Sequence, residues 1–172
     1  MNPFHWRLKF SEVLSVKDGF DIIIGNPPYI ERRNLDYPTN MLETNKCANT
    51  YAYFFEVSLK ILKLGGYIGF IVPIASIRTD RMIPLQKLLT TSCKLLYVSN
   101  YDDRPGKIFP DINDSRSSIV IGKKKENPDD ETIVYTTKYN RWHSSKRSEL
   151  FTNLEFVNCS EVISPGIISK IG

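Results

Sequence analysis

At 172 residues, 41% of them hydrophobic and 24% charged, the chain has enough material for one domain with a substantial core. No apolar run approaches the ~20 residues that span a bilayer, and MNPFHWRLKF lacks the apolar core and cleavage site of a secretory signal. A membrane or exported role is therefore set aside, and a cytoplasmic one expected. Cys47, Cys93 and Cys159 are odd in number, far apart and accompanied only by His5 and His143, so reduced thiols and no metal site are expected.

In chain order, Phe4 to Phe10 alternates apolar and polar residues well enough to serve as a strand covering a sheet edge. Phe20-Asp21-Ile22-Ile23-Ile24 reads as a strand buried on both faces of a parallel sheet. It stops at Gly25-Asn26-Pro27-Pro28-Tyr29, where two prolines remove donors and fix φ, and Pro27 biases Asn26 towards extended backbone. A carboxamide, a proline carbonyl and an aromatic ring are thus presented together at the C-terminal end of a strand, where open α/β sheets bind ligands.

Residues 31–48 are polar and read as a long active-site loop. Asn49 or Thr50 can cap a helix whose Tyr51, Phe54, Phe55, Leu59 and Leu62 recur at helical spacing. Lys60 and Lys63 complement its dipole, and Gly65-Gly66 ends it. A strand over 67–72 closed by Pro73, a helix over 80–91 and strands over 93–100, 117–122 and 132–137 complete an α/β order. The net charge of +4 suits a polyanion without requiring one. Basic residues gather at Arg32-Arg33, Arg78 with Arg81, Lys123 to Lys125 and Arg141 through Arg147. Arg32 and Arg33, directly after the proline loop, are the better phosphate-binding candidates; the lysine triplet faces Asp129-Asp130-Glu131 and reads as a charged turn.

GNPPY after an apolar strand resembles the catalytic loop of amino-group methyltransferases that use S-adenosylmethionine, above all the DNA adenine-N6 methyltransferases. YAYFFEVSLKILKLGGYIGFIVP (residues 51–73) looks like the helix, glycine turn and next strand of those found in large restriction-modification enzymes. KIFPDINDSRSSIVIGKKK (107–125) resembles their later hairpin, and NPFHWRLKFSEVL (2–14) the stretch preceding the loop in enzymes combining restriction with modification. The resemblance implies that Asn26 and the Pro27 carbonyl each accept one N6–H of adenine, with Pro28 shaping the bend. Tyr29 would stack on the flipped base, Arg32 and Arg33 would lie near the substrate, and Asn26 would border the cofactor. Phe109 would help hold the base, although a loop anchor in the core explains it equally well.

The implied fold is partial. It is the Rossmann-like half that follows the cofactor-binding strands, with residues 1–125 as the second half of a catalytic domain and 126–172 leading towards target recognition. Only 25 residues precede Asn26, and no glycine-rich strand-to-helix turn lies among them. S-adenosylmethionine is therefore expected in the complete enzyme and not on this chain alone. Expected partners are DNA, a separate chain supplying the cofactor half, or a second copy joined through strand 20–24. Other readings are a split-enzyme subunit, an inactive remnant, or a protein-glutamine or RNA methyltransferase. The last two are disfavoured because the strand ends in IVP and is followed by a basic loop and the IFP hairpin.

Overall fold

The computed structural model describes residues 6–36, 38–109, 116–160 and 168. Two short helices, α1 (Trp6–Lys9) and α2 (Ser11–Ser15), precede β1 (Phe20–Gly25). Then come α3 (Thr50–Ile61), β2 (Leu62–Pro73), α4 (Ala75–Arg78), α5 (Ile83–Ser92), β3 (Cys93–Tyr101), β4 (Ser117–Lys124), β5 (Ile133–Asn140) and β6 (Val157–Asn158).

The strands form one mixed sheet in the order β1-β2-β4-β3-β5-β6. β1 is parallel to β2, β4 runs antiparallel between β2 and β3, and β5 is parallel to β3. β1, β2, β3 and β5 therefore point the same way, so the loops after Gly25, Pro73 and Tyr101 leave from one edge of the sheet.

Helices α3 and α5 bury one face. Ile68, Phe70 and Val72 of β2 meet Leu96 and Val98 of β3, Val120 of β4 and Val134 of β5, closed over by Phe55, Leu59, Leu85 and Leu89. The period-two alternation of β2 decides this, because every second residue from 66 to 72 is buried. On the opposite face Ile22, Ile24, Tyr67, Ile121 and Ile133 are exposed, and no helix covers them among the described residues.

Three sequence expectations are corrected here. Phe20–Ile24 is a strand, but not one buried on both faces. β1 lies at the edge of the sheet, as the expected pairing through strand 20–24 requires, but Ile22 is 63% and Ile24 78% exposed, and only Ile23 packs against the core. The β-branched run fixes strand type, whereas its burial depends on what lies beside it. Residues 4–10 do not form a covering strand where they are described, since Trp6–Lys9 is helical; Phe4 and His5 lie outside the described residues.

Gly65-Gly66, expected from the sequence to end the helix, does not do so. Helix α3 ends earlier, at Ile61, and the two glycines sit inside β2. Pairing slips there from Phe20↔Leu62 to Ile22↔Tyr67, a bulge that carries three extra residues on β2. Gly65 takes φ +71°, and a Cβ on Gly66 would come within 2.9 Å of the Asp21 carbonyl. The carbonyls at the end of α3 are capped by Lys124, whose Nζ donates to Leu59 O and Leu62 O, both at 2.6 Å. Lys60 and Lys63 pair instead with Glu56 and Asp21.

Candidate active site

The loop leaving β1 places Asn26 in solvent, tucks Pro27 into the protein and returns Pro28 to the surface. Tyr29 is half-buried. Its ring meets Tyr51 edge-on, with centroids 6.1 Å apart and planes at 87°. Its hydroxyl donates to Asn26 Oδ1 at 2.8 Å, with the Ile71 carbonyl 3.2 Å away as a second acceptor. Burial raises the Tyr29 pKa, so the phenol remains a donor at neutral pH. The carboxamide is therefore held by the aromatic residue three positions on, and Oδ1 has a second lone pair to offer.

The far side of the loop is tied to the start of α3. Asn49 is the cap, its side chain accepting from the Tyr51 amide at 3.4 Å. The adjacent Thr50 serves the loop. Its hydroxyl donates to the Pro28 carbonyl and accepts from the Ile30 amide at 2.9 Å, while its own amide donates to Ile30 O at 2.9 Å. Arg32 N–H donates to Ala48 O at 3.0 Å. Two prolines leave the bend short of donors, and one threonine supplies the missing connections.

The polar segment 31–48 is less open than its composition suggests. Buried Glu56 accepts from the Thr44 amide (2.9 Å), the Thr44 hydroxyl (2.8 Å) and Lys60 Nζ (2.6 Å). Burial alone would raise the Glu56 pKa, but Lys60 and the Thr44 donors outweigh it and hold the carboxylate below its ordinary range. Arg32 donates to Asn40 Oδ1 at 3.0 Å, and Arg33 and Arg81 both approach Glu31 at 3.5 Å. Arg32 and Arg33 are exposed beside the loop.

Phe109 lies on the loop that leaves β3, so it and Asn26 depart from the same edge of the sheet. It is partly buried against a second small core of Tyr101, Ile108 and Trp142. At the root of that loop, burial alone would raise the Asp102 pKa. The Arg141 guanidinium, the Asp103 amide and Arg116 instead hold it at about 2. All three cysteines are buried free thiols.

A pocket of about 630 Å3 opens beside Asn26, between β1 and the flank of α3. Phe20, Ile22, Ile24, Phe54, Val57 and Phe70 dominate its walls, and Asn26, Ser58 and Tyr53 are its polar side chains. The lining suits an apolar body ending near the Asn26 carboxamide. No carboxylate is among these lining residues, so the pocket lacks a charged partner for the ammonium and an acidic acceptor for the ribose diol of S-adenosylmethionine. These residues do not make a complete site for that cofactor.

Of Asn26, Pro27, Pro28 and Tyr29, a hydrogen bond brings Tyr29 and Asn26 together, while Pro27 is buried and Pro28 exposed between them. The sequence offered Thr50 only as an alternative helix cap and gave no sign of its hold on the proline loop, of the Tyr29 hydroxyl contact or of the Glu56–Thr44 anchor. A glutamate four residues before Lys60 and adjacent to Phe55 was the one available signal for that anchor.

The sheet is parallel except for β4 and β6, and it carries an amide-and-proline loop at the carboxyl end of β1. The ATP-dependent Type ISP restriction-modification enzyme LlaBIII, solved bound to DNA, superposes with a TM-score of 0.66 at 20% identity over 88% of this chain and 12% of that one. The chain belongs to the Eco57I restriction-modification methylase family, whose model matches residues 1–109. It is 32% identical over 172 residues to a putative type II restriction enzyme and methyltransferase, RM.MjaORFECS2P of Methanocaldococcus jannaschii, across 95% of this chain. It is 26% identical over 132 residues to the type II restriction enzyme and methyltransferase RM.Eco57I of Escherichia coli, across 72% of this chain. The chain spans 13% of the length of each of these curated relatives. No helix among the described residues is long and apolar enough to cross a membrane.

Proposed function

We propose that this chain carries the amine-holding part of a cytoplasmic DNA adenine-N6 methyltransferase of a restriction-modification system. In this reading residues 1–125 belong to the catalytic domain and 126–172 lead towards target recognition. The observation that carries the proposal is the exposed Asn26 carboxamide, held by the Tyr29 hydroxyl at the end of β1. The DNA bound in the LlaBIII structure supports the choice of polymer.

The N6 amine of adenine is a poor nucleophile because its lone pair is delocalised into the ring. Asn26 Oδ1 and Pro27 O each accept one N6–H, which favours a more tetrahedral nitrogen with its lone pair turned outwards. This is positioning and electrostatic stabilisation, and it requires no strong base. The open side of Tyr29 stacks on the flipped base and offsets part of the unstacking free energy. Arg32 and Arg33 face the neighbouring phosphates. S-adenosylmethionine supplies the methyl group in the complete enzyme. Nucleoside analysis of plasmid DNA treated with an active enzyme containing this chain should yield N6-methyladenine; N4-methylcytosine or 5-methylcytosine in its place contradicts the proposal.

Two expected results accompany this reading. Tyr29→Phe removes the donor to Asn26 and should slow single-turnover methylation by about 0.5–1.5 kcal/mol, the net worth of one hydrogen bond. DNA affinity should be unchanged, because the ring remains. Tyr29→Ala loses stacking as well, about 1–3 kcal/mol. A phenylalanine variant as fast as wild type would mean that the hydroxyl orients nothing. The second result concerns the cofactor. Calorimetric titration of the 172-residue chain with S-adenosylmethionine should give no micromolar binding, since no carboxylate lines the pocket; a micromolar Kd contradicts it.

The exposed edge favours a second, compatible reading, in which the chain works joined to another polypeptide. Ile22 and Ile24 leave apolar surface in water at about 25 cal/mol per Å2, next to backbone groups open to strand pairing. In isolation the chain should self-associate through β1 with rising concentration, and Ile24→Lys should weaken that association in sedimentation velocity. A concentration-independent monomer would contradict this.

A further inference from the structure

The loop that carries Phe109 is held from outside. Arg147, which follows β5 and its Trp142 turn, reaches back across the chain. Its Nη1 donates to the Lys107 carbonyl at 3.2 Å and its Nη2 to the Ile108 carbonyl at 2.8 Å. Two consecutive carbonyls facing one way call for a planar, forked donor, which lysine cannot supply. The guanidinium also lies over the Trp142 ring, 5.8 Å from its centroid. Trp142 is buried and presses on the same loop. A Cβ added to Gly106 would fall 2.7 Å from the Trp142 carbonyl oxygen and 3.0 Å from a ring carbon. Ile108 packs beside Trp142, and Phe109 rests on that small core. The loop root is fixed similarly, with Arg141 Nε donating to Asp102 Oδ2 at 2.8 Å.

Fixing the carbonyls of residues 107 and 108 fixes the peptide planes that lead into Phe109, and so the direction in which Phe109 leaves the backbone. We propose that Arg147, backed by Trp142, is a positioning residue for Phe109, so that the segment after β5 sets the posture of the base-holding loop. This rests on the reading of Phe109 as a base contact. It makes capture of the flipped adenine depend on residues 141–150.

A double-mutant cycle in an active enzyme containing this chain tests the proposal, with unmethylated plasmid DNA and radiolabelled S-adenosylmethionine as probes. Arg147→Ala in the wild-type background should lower kcat/KM by about 10- to 100-fold, the range expected when a reacting partner is held roughly 1 Å out of place. In the Phe109→Ala background the same change should have almost no further effect, and Arg147→Lys should fall between. Equal losses in both backgrounds would overturn the proposal, because Arg147 would then act by general stabilisation. If Arg147→Ala melts without cooperativity, Gly106→Ala, which displaces the loop from the Trp142 side, takes its place in the same cycle. A fully active Phe109→Ala alongside an inactive Asn26→Ala would overturn the positioning role and leave the methyltransferase reading standing. Full activity in both variants would overturn both.

Discussion

Asn26→Ala is expected to reduce single-turnover adenine methylation by about 2–4 kcal/mol, or roughly 30- to 1,000-fold, by analogy with losing one donor from an oxyanion hole. The reason is geometric. The only carboxamide in the loop sits at the carboxyl end of β1, is held by Tyr29 at 2.8 Å and is exposed towards the pocket. Alanine removes one of two acceptors for the amine and leaves the Pro27 carbonyl alone to hold it. Alanine also removes one acceptor of the Tyr29 hydroxyl, but the Ile71 carbonyl remains 3.2 Å away, so stability should fall by no more than about 1.5 kcal/mol, the net worth of one hydrogen bond. Thermal melts beside rate measurements therefore separate chemistry from folding. A near wild-type rate would remove Asn26 from the mechanism.

Thr50→Val should have the largest effect among residues that do not touch the base. Valine matches threonine in shape but takes the donor away from Pro28 O and the acceptor away from the Ile30 amide. Two backbone groups in a packed loop then lack partners, at about 1–3 kcal/mol each where water cannot reach them. Chemical denaturation should show the loss, and hydrogen exchange at Ile30 should accelerate. Thr50→Ser, which keeps the hydroxyl, should restore most of both. If valine and threonine give the same midpoint with Ile30 equally protected, the loop is held by something other than this clamp.

Much of the architecture was legible because local pattern and tertiary burial agree. Tyr67 to Val72 is an apolar run closed by Pro73, and β2 covers it, with Ile68, Phe70 and Val72 on the buried face. Asn49 has the right side chain and extended backbone for a cap, and it is the cap. The GNPPY unit was legible because its prolines forbid regular structure directly after a strand.

The failures share a cause. The glycine pair resembled a helix terminator, but the backbone of Asp21 passes too close for any side chain at Gly66, so the glycines serve a bulge. Strand β1 has the composition of an interior strand, yet composition does not report which neighbour is present. The helix at residues 6–9 replaced an expected alternating strand, since a seven-residue pattern discriminates weakly between the two. Contacts made by a single oxygen, as at Thr50 and Tyr29, leave no periodic trace in a sequence.

The central claim is that Asn26 and Pro27 together hold the exocyclic amine of a flipped adenine. The most direct measurement is an experimental structure of an active enzyme containing this chain, bound to its DNA with the target base extruded. The account predicts adenine N6 within about 2.7–3.2 Å of both Asn26 Oδ1 and Pro27 O, the range of an N–H···O hydrogen bond. It also predicts the ring against Tyr29. An extruded base whose amine faces away from both oxygens, or a cytosine in that place, would contradict it.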